Sequence, residues 1–229
     1  MNPDRFERLK AVLGRRQPDL TVLMDRVHKA HNLSAILRNC DAVGVLEAHA
    51  VPAEQQRLKA HIQIAAGASK WVKVRTHETT PGAIRCLQGE GFEVVAAHPD
   101  EAAIDYRDLD LTRPVALLVG AELKGVSDDA LELADRRVSL PMLGMAQSLN
   151  VSVATALLLY EAQRQRTAAG LYDHCRIPEP AYSRLLFEWA YPKLARRCRE
   201  LGERYPSLTD EGRLEALPTF AAGAADLMD

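Results

Sequence analysis

The chain has 229 residues, of which 47% are hydrophobic, and its 29 Lys and Arg against 31 Asp and Glu give a formal net charge of −2. This length supports one sizeable domain with additional arms. The near-neutral charge excludes nucleic-acid binding by bulk charge, so any basic surface must be local. No run approaches the roughly 18 apolar residues of a membrane helix, and residues 1–20 lack the apolar core of a secretory signal, which predicts a cytoplasmic protein without a membrane partner.

The residues that most often bind metals are not arranged as a metal site. The four cysteines are widely spaced and contain no CxxC pair, which predicts reduced thiols and no disulfide framework. His28 and His31 form an HxxH pattern, but neither Cys nor Glu stands nearby at ligand spacing. We therefore expect no metal.

Short β-rich runs alternate with helical patterns between residues 20 and 169. The predicted strands cover residues 21–24, 47–51, 72–75, 93–98, 115–119 and 138–141, and helices are predicted between them, for example over 80–88 and 128–134. This alternation is typical of a mostly parallel sheet with helices on both faces. The predicted fold class is therefore α/β, with a central domain over residues 20–169.

Helical arms with excess basic charge flank this domain. Residues 1–19 form an N-terminal extension with a helix over residues 5–16, which Pro18 should end, and they hold five Arg or Lys against three Asp or Glu. Residues 170–229 form a C-terminal helical extension with a loose acidic tail from residue 207. Between residues 161 and 205 there are nine Arg or Lys against six Asp or Glu.

The first candidate site begins just after the first strand, in residues 31–44, HNLSAILRNCDAVG. Its apolar residues keep the spacing of a buried helix stripe, while Ser34, Arg38 and Asp41 share the opposite face. Asn32 suits the helix N-cap. Taken alone, this pattern is more typical of a solvated helix face with an Arg38–Asp41 pair than of a functional site.

Two further candidates occur where other strands end. Residues 117–126, LLVGAELKGV, run from a buried strand into a glycine turn, where open α/β sheets place ligands. Residues 140–154, LPMLGMAQSLNVSVA, lead through a loop into a long helix that Ser148 or Asn150 can cap. The sequence contains no GxGxxG, GxxxxGK[ST] or GxSxG, which argues against a dinucleotide dehydrogenase, a P-loop nucleotidase and an α/β-hydrolase.

In this order, the three segments resemble the three motifs of SPOUT RNA methyltransferases, NxSAIxRxxDAxG, GxExxG and PMxGxxxSLNVSVA. Residues 15–22, RRQPDLTV, and 160–166, YEAQRQR, also resemble the TrmH subgroup, so the likeness covers roughly residues 1 to 200. The departures are Ala30, where some relatives have proline, and Asn39-Cys40, where a Thr-Ala type pair is expected. The acidic end matches no pattern of the family.

The resemblance implies S-adenosylmethionine as cofactor, methylation of the ribose 2'-hydroxyl of guanosine-18 in the tRNA D-loop, a homodimer, and a deep C-terminal trefoil knot. It implies that the catalytic residues are Arg38, with Asn32, Glu122, Ser148 and Asn150 around it. It places the cofactor at Ala97, Gly120, Leu140, Met145 and Leu149. The expected RNA-binding residues are Arg8, Arg15, Arg16, His31, Arg164, Arg166, Arg196 and Arg197.

An arginine remains protonated at any working pH, so Arg38 is physically awkward as a free base. We expect it to clamp the phosphate beside the target ribose, because a bidentate fork suits a phosphate, while Glu122 orients neighbouring groups. Two alternatives remain at this stage. One is a SPOUT enzyme acting on rRNA or on the tRNA wobble nucleotide, and the other is a catalytically silent RNA-binding protein of the same fold.

Overall fold

The computed structural model describes residues 1–52, 70–121 and 125–216. The chain forms two compact units, Gln17–Tyr172, here called the sheet unit, and Met1–Arg16 with Asp173–Asp229, here called the terminal unit. The two predicted extensions therefore belong to one unit.

The sheet unit contains a seven-stranded sheet in the described residues, and every neighbouring pair of strands is parallel. The strands are β1 (Leu20–Asp25), β2 (Glu47–Val51), β3 (Lys73–Thr76), β4 (Glu93–Ala97), β5 (Ile104–Asp105), β6 (Val115–Val119) and β7 (Arg136–Ser139). Their order across the sheet is β3-β2-β1-β6-β4-β7-β5. The α/β prediction is confirmed, and the six predicted strands are found within one or two residues of their expected ends.

Hydrophobic cores cover both faces of this sheet, because its central strands are buried on both sides. All residues of β1 and of β6 are buried, as expected of near-continuous apolar runs in a parallel sheet. In β1, Val22 and Met24 belong to one core and Leu23 to the other. This central position puts the carboxyl ends of β1 and β6 side by side.

Four helices of the sheet unit lie within the described residues: α2 (Ala30–Ala42), α3 (Thr80–Gly89), α4 (Asp128–Leu133) and α5 (Val151–Ala168). The apolar stripe predicted on α2 is buried, but the helix begins two residues before the predicted cap. Its N-cap position is Lys29, and Asn32 is buried within the first turn. The cap predicted for α5 is confirmed, since the Asn150 side chain accepts a hydrogen bond from the backbone N–H of Ser152.

Arg166 lies at the end of the sheet unit where β1 and β6 begin. Its guanidinium is fully buried and donates to Asp19 Oδ1 at 2.7 Å, to Gln17 Oε1 at 3.0 Å and to the backbone oxygens of Leu111, Asp19 and Arg113. Its expected role in RNA binding is therefore wrong. The side chain instead ties the end of α5 to the segments that lead into β1 and β6.

The terminal unit contains the helices α1 (Pro3–Leu13), α6 (Glu179–Ala190) and α7 (Pro192–Leu201). The first helix ends at Leu13, with Gly14 as its C-cap, and does not extend to Pro18, so Arg16 lies outside it. Arg16 is fully buried, with its guanidinium carbon 5.2 Å from the centre of the Trp189 ring. This burial contradicts the expectation that Arg16 contacts RNA.

The described part of the C-terminal tail is ordered, contrary to the expected loose tail. Leu208 and Leu214 form an antiparallel bridge around a turn at Gly212, which has a positive φ of 77°. The turn packs so closely on Phe6 that an added Cβ at Gly212 would stand 2.3 Å from the ring. Tyr191 donates its hydroxyl hydrogen to Gly212 O at 2.9 Å.

None of the four cysteines, all of which lie in the described residues, forms a disulfide bond. Within the described ranges, no helix is both long and apolar enough to cross a membrane. The same ranges contain no group of three or more His, Cys, Asp or Glu side chains that could hold a metal ion.

Candidate active site

A mostly apolar cavity of about 140 Å³ opens where β4, β6 and β7 end. Strand ends supply Ala97, Gly120 and Leu140, and the loop before α5 supplies Ser148 and Leu149. Four of the five residues expected at the cofactor therefore line one cavity. This is the carboxyl edge of a parallel sheet, where ligands bind in open α/β folds.

Gly120 and Gly125 shape one wall of this cavity. The backbone N–H of Gly125 donates to Ala121 O at 2.7 Å, which folds the chain back over the end of β6. A Cβ on Gly120 would lie 2.0 Å from the carbonyl carbon of Gly125, so only glycine permits this approach. Gly125 itself has a φ of 66°. The expected site residue Glu122 lies between them, outside the described residues.

Two side-chain amides connect α2 to the start of α5 beside the cavity. Asn150 Nδ2 donates to Asn32 Oδ1 at 3.2 Å, and Asn39 Nδ2 donates to the backbone oxygen of Ser152 at 3.0 Å. Asn150 Oδ1 also accepts from the Ser152 hydroxyl at 2.6 Å. The first and third motifs thus meet through direct contacts, one of which uses a residue that departs from the family pattern.

Asn32 retains unused hydrogen-bonding capacity at this junction. Its side chain is buried, and no described residue accepts a hydrogen bond from its Nδ2 atom. Buried amide donors nearly always have a partner in folded proteins. An orphaned donor beside a cavity is the arrangement expected of a binding site.

Arg38 lies on the exposed face of α2 and does not line the cavity of its own chain. Its side chain is solvent-accessible, as is that of His31 at the start of the same helix. Of the expected catalytic residues, Ser148 lines the cavity and Asn150 contacts Asn32 beside it, whereas Arg38 is exposed and is not part of the lining.

Met145 is the one expected cofactor residue that does not line the cavity. Its side chain is 100% exposed, because the loop before α5 runs through solvent at this point. Three polar residues that were not anticipated do line it, His98, Ser139 and Gln147. The position of His98 at the carboxyl end of the strand predicted over residues 93–98 is the signal that could have found it.

Six of the expected RNA-contacting residues are exposed. Arg197 and Arg164 are each within 4 Å of a neighbouring glutamate, at Glu200 and Glu161 respectively. Hydrogen bonds from Arg164 lower the pKa of the Glu161 carboxyl below its ordinary value. The exposed residues are Arg8, Arg15, His31, Arg164, Arg196 and Arg197.

Comparisons with known proteins agree with this geometry. The profile of the SpoU rRNA Methylase family matches residues 19–160, and that of the SpoU rRNA methylase C-terminal family matches residues 164–217. The tRNA (guanosine(18)-2'-O)-methyltransferase of Escherichia coli (strain K12) is 50% identical over 219 residues, which are 94% of this chain and 95% of the relative.

Solved structures of related proteins have the same fold. The TrmH/SpoU tRNA modifying enzyme of A. aeolicus superposes with a TM-score of 0.77 and 42% identity, over 83% of this chain and 97% of that one. The SpoU methyltransferase AviRb from Streptomyces viridochromogenes, in complex with the cofactor AdoMet, matches with a TM-score of 0.58 and 27% identity, over 68% of this chain and 62% of that one. Because the profile matches most of the chain and the relatives extend along nearly all of it, this protein belongs to the SpoU family of RNA methyltransferases.

Proposed function

We propose that this chain transfers a methyl group from S-adenosylmethionine to the ribose 2'-hydroxyl of guanosine-18 in the tRNA D-loop. The observation that carries the proposal is the direct contact between Asn32 and Asn150 beside the carboxyl-edge cavity. These two residues come from separate motifs, 118 positions apart. The names of the near full-length relatives support the choice of tRNA as the substrate.

The cavity suits an adenosine-containing cofactor. Its lining is largely apolar, and the Gly120 turn brings backbone groups close to the cavity without a side chain between them. Drug-sized pockets typically enclose about 300–1,000 Å³, so about 140 Å³ is only part of the required site. We expect the exposed loop over residues 143–150 to close over the ligand. When bound, S-adenosylmethionine supplies the electrophilic methyl group.

The side chains of this chain orient the acceptor and its proton. Methyl transfer to a hydroxyl requires alignment of the two reactants and removal of the hydroxyl proton. In our proposal, the amides of Asn32 and Asn150 hold the reacting groups in place, and Arg38 clamps the neighbouring phosphate through two parallel hydrogen bonds. Ser148 and Glu122 complete the site.

We further propose that two copies assemble into a cytoplasmic homodimer and that the sheet unit contains the trefoil knot of its family. Exposed large apolar side chains support the dimer, since they continue from the loop before α5 onto one face of that helix. They are Leu143, Met145, Leu149, Val153, Leu157 and Tyr160. The separation of Arg38 from the cavity of its own chain agrees with a site that two protomers share.

The terminal unit provides tRNA affinity in this proposal. Arg8 on α1 and Arg196 on α7 are exposed, and α7 also has Lys193 and Arg197 on its surface. Such cations bind phosphates without reading the bases, so they would contribute affinity and not the choice of nucleotide.

Incubation with labelled S-adenosylmethionine and unmodified tRNA, followed by mapping of the methylated nucleotide, tests donor, substrate and position together. We expect one 2'-O-methylguanosine, at position 18. Label at the wobble nucleotide, or label in rRNA and not in tRNA, would favour the alternative SPOUT activities. Absence of label from every RNA would indicate a silent RNA-binding protein.

A further inference from the structure

A second groove, of about 530 Å³, lies directly beside the candidate cofactor cavity. Ala121 and Gly125 line both openings, so the two are adjacent. The polar lining of this groove consists of Asp25, Arg26, Ser127, Asp128 and Asp129. None of these residues has been given a role above, yet they stand next to the place where methyl transfer is proposed.

Arg26 is held at this groove by a strained backbone. Its φ is 54°, and among the described residues it is the one residue other than glycine with a positive φ. This backbone conformation is unfavourable for a residue with an ordinary side chain. It persists because the Arg26 N–H donates to Val51 O at 3.0 Å, in the strand next to β1. Strain retained in this way is characteristic of functional positions.

Asp25 fixes the floor of the groove but is not free to bind a ligand. It is buried, and its carboxylate accepts hydrogen bonds from the Thr80 hydroxyl at 2.6 Å, the Ser127 hydroxyl at 2.7 Å and the Ser127 N–H at 3.0 Å. Arg26 Nε lies 3.7 Å from the same carboxylate, while the side chain remains 52% exposed. The guanidinium is therefore positioned by Asp25 and still accessible.

The charges that line the groove decide which part of an RNA suits it. Arg26 provides hydrogen-bond donors, whereas the exposed carboxylates of Asp128 and Asp129 provide acceptors. A phosphate would meet two like charges here. A guanine base presents both kinds of partner, since N7 and O6 are acceptors and the N2 amino group is a donor.

We propose that this groove receives the guanine base of the target nucleotide, with Arg26 donating to O6 and N7 and with Asp128 and Asp129 accepting from the N2 amino group. The inference rests on the proposed function and adds the residues that select the base. An unstacked base read along its edges is the usual way in which proteins recognise RNA sequence. The shared wall at Ala121 and Gly125 places that base next to the methyl donor.

The test compares kcat/KM on three tRNAs that carry guanosine, 7-deazaguanosine or inosine at position 18. The variants are Arg26→Asn, which tolerates the positive φ, the double variant Asp128→Asn/Asp129→Asn, and Arg85→Asn as a control on the exposed surface of α3. Thermal unfolding of each variant establishes that it is folded.

On guanosine, we expect Arg26→Asn and the double variant each to lose about 10- to 100-fold, and Arg85→Asn to lose nothing. On 7-deazaguanosine, which lacks the N7 acceptor, the wild type loses activity and Arg26→Asn loses little more. On inosine, which lacks the N2 amino group, the wild type loses activity and the double variant loses little more.

If the groove variants lose the same factor relative to the wild type on all three tRNAs, the proposal is overturned in favour of a phosphate-binding or structural role. If the groove variants are as active as the wild type on guanosine, these residues do not contact the base. If the wild type leaves guanosine-18 unmethylated while methylating another nucleotide, the proposed function fails. Base selectivity of the variants at that other nucleotide would then decide whether the groove reads a base at all.

Discussion

Arginine side chains that look alike in the sequence occupy different environments in this chain. Arg38 is exposed, whereas Arg16 and Arg166 are fully buried, although all three were expected to contact RNA or substrate. Charge and helical spacing do not distinguish a solvated arginine from one that bonds to distant backbone oxygens. For Arg166, these oxygens lie 53 to 147 positions away, so local sequence cannot reveal them.

Arg38→Lys tests the phosphate clamp at the level of one side chain. Lysine keeps the charge but cannot form two parallel hydrogen bonds, so we predict that kcat falls about 100-fold with little change in cofactor affinity. Steady-state kinetics and cofactor titration measure the two quantities. Near wild-type turnover of this variant would exclude the clamp.

Two histidines of neighbouring strands contact each other, His49, which is buried in the middle of β2, and His77, which is half-buried directly after β3. His49 Nδ1 and His77 Nε2 are 2.9 Å apart, and the rings stack with their centroids 5.1 Å apart. Burial lowers the pKa of His49 from 6.5 to about 4 and also lowers the pKa of His77, which Arg75 lowers further. Because one ring must accept the hydrogen bond of the other, protonation of both breaks the pair.

This pair predicts a loss of stability on mild acidification. Between pH 6.5 and about 4, the unfolded chain binds more protons at His49 than the folded chain, so the free energy of unfolding decreases as the pH falls through that window. We expect His49→Gln to show a smaller difference between pH 7 and pH 5 than the wild type, by about 1–2 kcal/mol. Urea denaturation at both pH values measures it, with the exposed His174→Gln as a control. An unchanged pH dependence in His49→Gln would contradict this assignment.

At the scale of elements, helices and strands with a strong hydrophobic periodicity could be predicted from the sequence, whereas the contacts that join them could not. The buried stripe of α2 and the Asn150 cap of α5 follow from residue spacing. The link between Asn39 and Ser152 joins positions 113 apart, and β5 contains two residues, too few for a pattern. The N-cap of α2 was also predicted three residues too late, because Asn32 resembles a cap but is buried inside the helix.

Helix α7 allows the most specific test of the proposed tRNA affinity, because two of its exposed arginines can be removed without breaking a hydrogen bond within the terminal unit that involves Arg199. Arg199 donates to the Tyr205 hydroxyl at 2.8 Å, so its removal would disturb the terminal unit. The variant Arg196→Ala/Arg197→Ala leaves that hydrogen bond intact. We predict that it binds tRNA more weakly and with a shallower salt dependence, the slope falling by about one unit for each phosphate that is no longer neutralised.

Filter binding at several salt concentrations measures this effect, with cofactor affinity as an internal control. Arg85→Ala, an exposed charge removed from the sheet unit, should leave the salt slope unchanged. Wild-type affinity and slope in the α7 variant would exclude this helix from tRNA recognition.

At the scale of the whole molecule, the α/β class and the ligand-binding edge were accessible from the sequence because they depend on repeated local patterns. The grouping of both chain ends into one unit was not, since it depends on contacts such as that of Phe6 with the turn at Gly212. The resemblance to a family, and not the periodicity, implied the identity of the cofactor.

The proposed dimer is a property of the whole molecule and predicts the effect of a charge on its exposed apolar face. Val153 and Leu157 are 47% and 41% exposed on α5. We expect Val153→Glu/Leu157→Glu to be monomeric in sedimentation and to lose at least about 10-fold in activity, because burying unpaired charges in an interface is unfavourable. Val12→Glu, an exposed apolar position in the terminal unit, is the control. A fully active monomer at assay concentration would contradict a shared site.

The central claim is that this site methylates one particular hydroxyl, and a single atom in the substrate tests it. The measurement is single-turnover transfer of labelled methyl groups to two tRNAs that differ only in the presence of the 2'-hydroxyl at guanosine-18. We predict stoichiometric labelling of the all-ribose tRNA and none of the tRNA with 2'-deoxyguanosine at that position. Equal labelling of both would contradict the assignment of this chain as a guanosine-18 2'-O-methyltransferase.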